Sequence, residues 1–390
     1  MTETSLSRLP RQSVRAPRRS APRLTAPRAL RRAAPALVCY LAVRLIGLLC
    51  VVTWALSAGR HPRTVLGQSW DSLYYLHIAQ HGYRTWFVTP DGLTYSDLAF
   101  FPLYPGCVRA VTELLPLGPV DAALLVSGCA GVVAAWGIFA IGELLHGRRA
   151  GLVLVALWAL LPHAVVLNMA YAEALFIALC AWALYALLTR RPVLAGMLAA
   201  LAGLTRPSGL AVIAAVFVAA ALDRRNPRAW AGAALAPLGW LGHVAWVGVR
   251  TGNPLGYLEV QAKWESSFDF GYFMLRYTAH LLLTREELRF YVMLLVVVAA
   301  LVAFAFLVRG KLAPPPLLVY TAALLVLALG QSGNPACKAR FLLPAFPLLL
   351  PVAVGLLRTG RRKVVALLAV PAVLSLLYGA YLVAQIDKPV

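Results

Sequence analysis

Apolar residues in this chain come in unbroken runs rather than at the intervals of a half-buried helix or strand, and each run ends at a short polar turn. Crossing a bilayer as a helix takes roughly 20 such residues. The first run covers 34–57 and the later ones cover 119–145, 151–167, 173–189, 192–204, 210–222, 229–249, 289–308, 312–330, 341–357 and 364–384. This pattern predicts an all-α polytopic integral membrane protein with about eleven transmembrane helices. Two of the runs, 192–204 and 210–222, are short and require flanking residues or a locally thin bilayer.

The polar segments then sort the two faces of the membrane. Basic stops at 148–149, 190–191, 224–225, 309–311 and 361–363 are expected on the cytoplasmic side, where Lys and Arg are retained. That places the N-terminus inside and the C-terminus outside. The turns that are not simple basic stops then fall outside: 58–118, 168–173, 205–209, 250–288 and 331–340. Any chemistry is therefore expected at the extracytoplasmic face of a cell membrane. The stretch 100–116 cannot be a full crossing in this count and is expected as a loop helix on, or dipping into, the outer face. Residues 1–33, rich in Arg and Pro with few acids, are expected as a disordered basic cytoplasmic tail. The rest, 34–390, is one transmembrane domain, with 58–118 as its first outer loop and 250–288 as its second large one.

Composition narrows the class. Of 390 residues, 61% are hydrophobic and 13% charged, with a mean hydropathy of +0.75, which excludes an ordinary soluble domain. The formal net charge of +21 is spread in short clusters between apolar runs, as in cytoplasmic loops, so nucleic acid is not an expected partner. The six cysteines form no CxxC pair, and His77, His81, His163 and His243 have no HExxH-type spacing. No metal site and no cofactor are expected.

Chemistry concentrates in the first outer loop, at Trp70-Asp71-Ser72-Leu73-Tyr74-Tyr75 and on to Gly82-Tyr83. In a helix, Trp70, Tyr74, His77 and His81 share one stripe, while Asp71, Tyr75 and Ile78 share the next. This sets a carboxylate among aromatic rings. The plainer reading makes Asp71 a first-turn acid favoured by the helix dipole, with Ser69 as N-cap. Glu173, at an outer helix end, is a second candidate acid and has the same plainer reading. Arg206, Lys338 and Arg340 lie outside, against the positive-inside bias, so partners are expected for them. A phosphate is one partner and lipid headgroups are another. Trp70, Tyr74, Tyr75 and Tyr104 suit either a sugar face or the aromatic belt of the interface.

The order of these segments resembles the PIG-V-like mannosyltransferase family, relatives of the enzyme that adds the second mannose to GPI anchors, within the C-type integral-membrane glycosyltransferases. The matching pieces are Trp70-Asp71-Ser72, Phe100-Phe101-Pro102-Leu103-Tyr104-Pro105, Ala170-Tyr171-Ala172-Glu173-Ala174-Leu175-Phe176, and Thr205-Arg206-Pro207 within 202–209. The third has Ala172 where Ser is frequent in that family. The resemblance implies transfer of mannose, or another hexose, with inversion from a polyprenyl-phosphate-linked donor to an acceptor on the outer face. It implies Asp71 as general base, and cations such as Arg206, Lys338 and Arg340 for the donor phosphate. The acceptor, whether lipid-, glycan- or protein-linked, is not specified, and membrane lipids surround the protein. A donor already dissolved in the bilayer agrees with a chain lacking a Gly-rich nucleotide loop. Two other classes stay open: a transporter or lipid flippase, which should show an internal repeat with broken helices, and a non-catalytic partner subunit of a mannosyltransferase.

Overall fold

A computed structural model describes residues 26–88 and 92–385. The basic tail as far as residue 25 and the last five positions, 386–390, lie outside the described residues. The helices in chain order are α1 (Ala26–Ser57), α2 (Pro62–Gly67), α3 (Asp71–His81), α4 (Leu103–Leu114), α5 (Pro119–His146), α6 (Arg148–Ala159), α7 (Glu173–Leu188), α8 (Pro192–Gly203), α9 (Leu210–Leu222) and α10 (Pro227–Leu235). They continue with α11 (Leu238–Thr251), α12 (Gly256–Lys263), α13 (Tyr272–Leu283), α14 (Leu288–Arg309), α15 (Pro315–Leu329), α16 (Cys337–Phe341), α17 (Leu350–Leu356) and α18 (Arg361–Gln385). A two-stranded antiparallel hairpin, β1 (Phe87–Val88) with β2 (Thr94–Tyr95), decorates the loop 58–118.

The protein is an all-α membrane protein. Among the described residues, five helical stretches are long and apolar enough to cross a bilayer: Arg28–Ser57, Pro119–His146, Pro227–Thr251, Leu288–Arg309 and Arg362–Val383. Shorter apolar helices at Glu173–Leu188, Pro192–Gly203, Pro207–Leu222, Pro315–Leu329 and Phe346–Leu356 pack among them. The long helices α1, α14 and α18 leave large side chains such as Leu45, Leu295 and Leu374 uncovered, as lipid-facing helices do. By contrast α7 is buried nearly all round, which is why its sequence shows no polar face. Close helix contact depends on small residues. A Cβ on Gly196 of α8 would meet the Gly232 carbonyl oxygen of α10 at 2.1 Å, so only glycine lets these backbones approach.

Four expectations are corrected. The first helix starts at Ala26, so residues 26–33, assigned above to the tail, continue it, and Arg32 pairs with Glu143 of α5 at 2.6 Å. The run 151–167 is helical only to Ala159 and then unwinds before a 3-10 turn at Ala164–Asn168. Pro162 explains the break, since it has no N–H and clashes with the preceding turn. Freed carbonyls at Ala159 and Ala164 accept from Arg44 of α1, and Leu161 accepts from Ser375 at 3.0 Å. The run 229–249 splits at Pro237 into α10 and α11, and 341–357 is regular helix only at Leu350–Leu356, beyond Pro344 and Pro347.

As the pattern predicted, the 100–116 stretch forms a separate short helix, α4, which buries Tyr104, Pro105 and Val108 while Leu114 stays exposed. The second large loop folds onto the first. Trp264 Nε1 donates to the Ser96 carbonyl at 3.0 Å, and Gln261 Nε2 donates to that of Ala99 at 3.4 Å. Residues 265–269 also pair with 330–332, where Asp269 N–H reaches Gly330 O at 2.9 Å and Ser332 N–H reaches Ser267 O at 2.7 Å. The loops 58–118, 250–288 and 330–341 therefore make one cap.

Candidate active site

Asp71 owes its position to an unusual backbone. Trp70, not Ser69, is the N-cap of α3, with φ 53° and ψ −121° and no side-chain capping bond. Ser69 instead directs its hydroxyl to the Thr64 carbonyl at 3.4 Å. A positive φ at a tryptophan is strained, and such strain persists only where surrounding contacts hold it. Here the Tyr171 hydroxyl accepts from the Asp71 N–H at 3.3 Å, from the segment leading into α7. The turn that starts the helix thus aims the carboxylate inward rather than into solvent.

Four of the residues singled out above then form a continuous chain of charges. Arg340 Nη2 lies 2.9 Å from Asp71 Oδ2, Arg340 Nε lies 3.3 Å from Glu173 Oε1, and Arg206 Nη1 lies 2.5 Å from that same oxygen. Two carboxylates and two guanidiniums sum to no net charge, which is what makes their burial tolerable. Exposure is graded along the chain. The Glu173 side chain is 1% exposed, Arg340 5%, Arg206 11% and Asp71 22%, so the cluster opens at Asp71. Aromatic faces hold the arginines: Arg340 lies over Tyr171 and Phe341, each at 5.2 Å, and Arg206 lies over Phe341 at 5.6 Å. Among the described residues, Arg340 Nη1 is buried with no hydrogen-bond partner.

Tyr75 belongs to this cluster too. It lies within electrostatic reach of Arg206, Glu173, Asp71 and Arg340, and burial raises its phenol above the usual range, so it stays a neutral donor. Tyr74 is half-buried in a stack with Phe100 at 5.0 Å and edge-on to Trp264 at 4.9 Å. Trp70 is partly buried against the core. Tyr104 is elsewhere in role: it is fully buried and bonds Ser127 at 2.8 Å and the Ala123 carbonyl at 3.0 Å. It locks α4 to α5, leaving no face for a sugar.

Lys338 also departs from the expected phosphate set. Its buried ammonium donates to the Gln331 carbonyl and, at 3.0 Å, to that of Ser332, tying its own turn together. Burial, against weaker opposing pulls from Cys337 and Asp269, brings its pKa down to about 8. Among the described residues, no group of three or more His, Cys, Asp or Glu gathers as metal ligands.

Sequence reasoning missed a third acid. Asp97 is fully buried, takes both Arg84 nitrogens at 2.7 and 3.0 Å, and has His77 Nδ1 at 3.2 Å. It missed Tyr171 as well, although that residue lies inside a quoted motif. The one available signal was its spacing, two positions before Glu173.

Neither a family profile nor a curated protein matches the chain. Solved structures do. ArnT from Cupriavidus metallidurans bound to undecaprenyl phosphate superposes with a TM-score of 0.52 at 17% identity, over 85% of this chain and 62% of that one. Its apo state gives 0.50 at 18% identity, over 85% and 61%. An oligosaccharyltransferase of Archaeoglobus fulgidus, in complex with Zn and sulfate, gives 0.49 at 14%, over 89% and 53%. The fold is similar to that of ArnT. This chain spans 62% of the length of the ligand-bound ArnT structure.

Proposed function

We propose that the protein transfers a hexosyl group from a polyprenyl-phosphate-linked donor to a hydroxyl acceptor at the extracytoplasmic face, with inversion. The single observation that carries this reading is the contact between Asp71 and Arg340, at the open end of a buried neutral charge chain, within a fold of this class. A partly exposed carboxylate can accept the acceptor's proton, while buried guanidiniums can bind the phosphate that leaves. Mannose is the sugar favoured by the Trp-Asp-Ser, Tyr-x-Glu and Thr-Arg-Pro segments, which ally the chain with the PIG-V-like family.

The chemistry follows from the side chains. The acceptor oxygen attacks the anomeric carbon opposite the phosphate, its proton passes to an Asp71 oxygen, and the carbon–oxygen bond to phosphate breaks. Arg340 has an unused Nη1–H, and Arg206 reaches the same Glu173 oxygen, so both can turn donors toward developing charge without leaving the cluster. Glu173, buried and paired with both arginines, positions them and is not the base in this reading. Tyr75 supplies a neutral hydroxyl beside the chain.

The test is direct. Membranes containing the protein should transfer label from polyprenyl-phosphate-mannose to a membrane, glycan or protein fraction, and membranes without it should not. Transfer from polyprenyl-phosphate-glucose alone would keep the reaction class and change the sugar. No transfer from either donor, with the protein intact in the membrane, would overturn the reading.

A further inference from the structure

A set of buried groups without hydrogen-bond partners among the described residues leads away from the charge chain. Arg340 directs Nη2 to Asp71 and Nε toward Glu173, which leaves Nη1 unpartnered. His163, in the unwound segment after α6, is 1% exposed, has neither ring nitrogen bonded, and lies within electrostatic reach of Arg340. Its ring stands 5.5 Å from that of Tyr378 in α18, whose buried hydroxyl is also without a partner. Tyr378 is in turn within electrostatic reach of Arg289, which lies in the first turn of α14 and is 3% exposed. Glu287, half exposed, accepts from Arg289 Nη2 at 3.3 Å and lies 3.0 Å from Nε, while Nη1 has nothing.

An unsatisfied buried polar group costs about 1–3 kcal/mol, and native proteins keep few of them. Four such groups, each able to donate, would be satisfied by an anion. The set also runs toward the bilayer. It ends between α14 and α18, whose neighbouring Leu295 and Leu377 are exposed as lipid-facing residues.

We propose that Arg289, Tyr378, His163 and the free edge of Arg340 form a second phosphate station that holds the spent carrier, a polyprenyl phosphate monoester, after sugar transfer. This rests on the transfer reading given above. In that reaction the donor phosphate is a diester with one negative charge. When the bond from the anomeric carbon breaks, its electron pair stays on the phosphate oxygen and the acceptor's proton goes to Asp71. The product is a monoester carrying about −1.5 to −2 at neutral pH. That extra charge is what distinguishes product from donor, and a second arginine is the group to bind it. The lipid tail would meanwhile stay against the exposed faces of α14 and α18.

The experiment is calorimetric binding to the purified full-length protein in detergent, with farnesyl phosphate as the monoester and mannosyl-phosphoryl-farnesol as the diester. Inorganic phosphate, farnesol and phosphatidylglycerol serve as competitors. The wild type should bind both farnesyl ligands, with no competition from farnesol, inorganic phosphate or phosphatidylglycerol. Arg289→Gln should weaken the monoester about tenfold and the diester by no more than about threefold. Tyr378→Phe should shift in the same sense by less, and it carries the test if Arg289→Gln does not fold. Arg289→Lys should recover part of the loss. Equal weakening of both ligands, or none, would overturn the station while leaving the transfer reading in place. Displacement by inorganic phosphate or phosphatidylglycerol would make it a general anion or headgroup site and overturn it too. A wild type that binds neither ligand would remove the transfer reading and the station together.

Discussion

Two acid–arginine clusters flank α3 in the cap, built from the same residue types but left in opposite states. Asp97 is fully buried, both of its oxygens meet Arg84, and His77 adds a third contact. The Arg84 guanidinium lies 3.9 Å from the centre of the Phe87 ring, which closes that cluster on itself. Asp71 has one arginine at 2.9 Å, keeps 22% of its side chain exposed, and sits beside guanidinium N–H groups that bond nothing. An acid whose acceptor capacity is used up is a clamp for the loop. An acid with capacity to spare, next to donors with capacity to spare, is a place where something else binds.

Substitutions can break or sharpen this contrast. The largest effect is expected at Asp71. Asp71→Asn retains shape and hydrogen bonding but not basicity, so turnover with a polyprenyl-phosphate sugar should fall by about two to four orders of magnitude. Thermal stability should drop by only about 1–2 kcal/mol, because Glu173 still compensates Arg340. Normal turnover in that variant would leave the cluster without its base.

Glu173→Gln should act mainly on stability. It strands Arg206 and leaves Arg340 with Asp71 alone in a buried site, and losing one partner of a buried pair costs about 3–5 kcal/mol. A protein that melts as the wild type does would show that these charges are solvated in some other way. Arg206→Ala should slow turnover about a hundredfold, or about 3 kcal/mol, if it holds the leaving phosphate. Unchanged kinetics at saturating donor would make it a scaffold for Glu173 alone.

The closed cluster should answer differently. Asp97→Asn removes a fully buried acceptor from a partly exposed Arg84, so about 2 kcal/mol of stability should be lost while turnover stays within about threefold. A loss as deep as that at Asp71 would erase the distinction between the two acids.

The smallest effect is expected at Lys338, and it depends on pH. Its folded pKa, about 8, lies below the model-compound value of 10.5, so between these two the unfolded chain binds more protons than the folded one. Stability contributed by this group therefore rises as pH increases from 8 to 10.5. Lys338→Met should lack that rise, and subtracting the two unfolding curves over this range isolates it. Identical slopes would show that the ammonium is not buried as described.

The bilayer accounts for how much was legible in the sequence. In hydrocarbon every backbone N–H and C=O must be satisfied within the segment, so long apolar runs can only be helices. Arg206, Lys338 and Arg340 stood out for a related reason, since cations in turns expected outside run against the positive-inside bias and need partners, while Asp71 and Glu173 stood out through the motifs around them. Proline positions were equally visible, yet only the structure shows how Arg44 and Ser375 make the break after Ala159 tolerable. Asp97 stayed hidden because its partner, Arg84, comes from another turn of the loop, and nothing in local spacing pairs them.

By itself, then, the chain determined its helical membrane architecture and marked the acids and cations of its polar turns, because hydropathy and charge act locally. Which charges meet was decided by tertiary structure. The turn at Trp70 points Asp71 inward, the unwound segment before α7 brings up Tyr171 and Glu173, and the folded 330–341 turn delivers Arg340 between the two acids while directing Lys338 to its own carbonyls. These pairings join residues far apart in sequence, and only packing of the bundle sets the few ångströms that separate a clamp from a site.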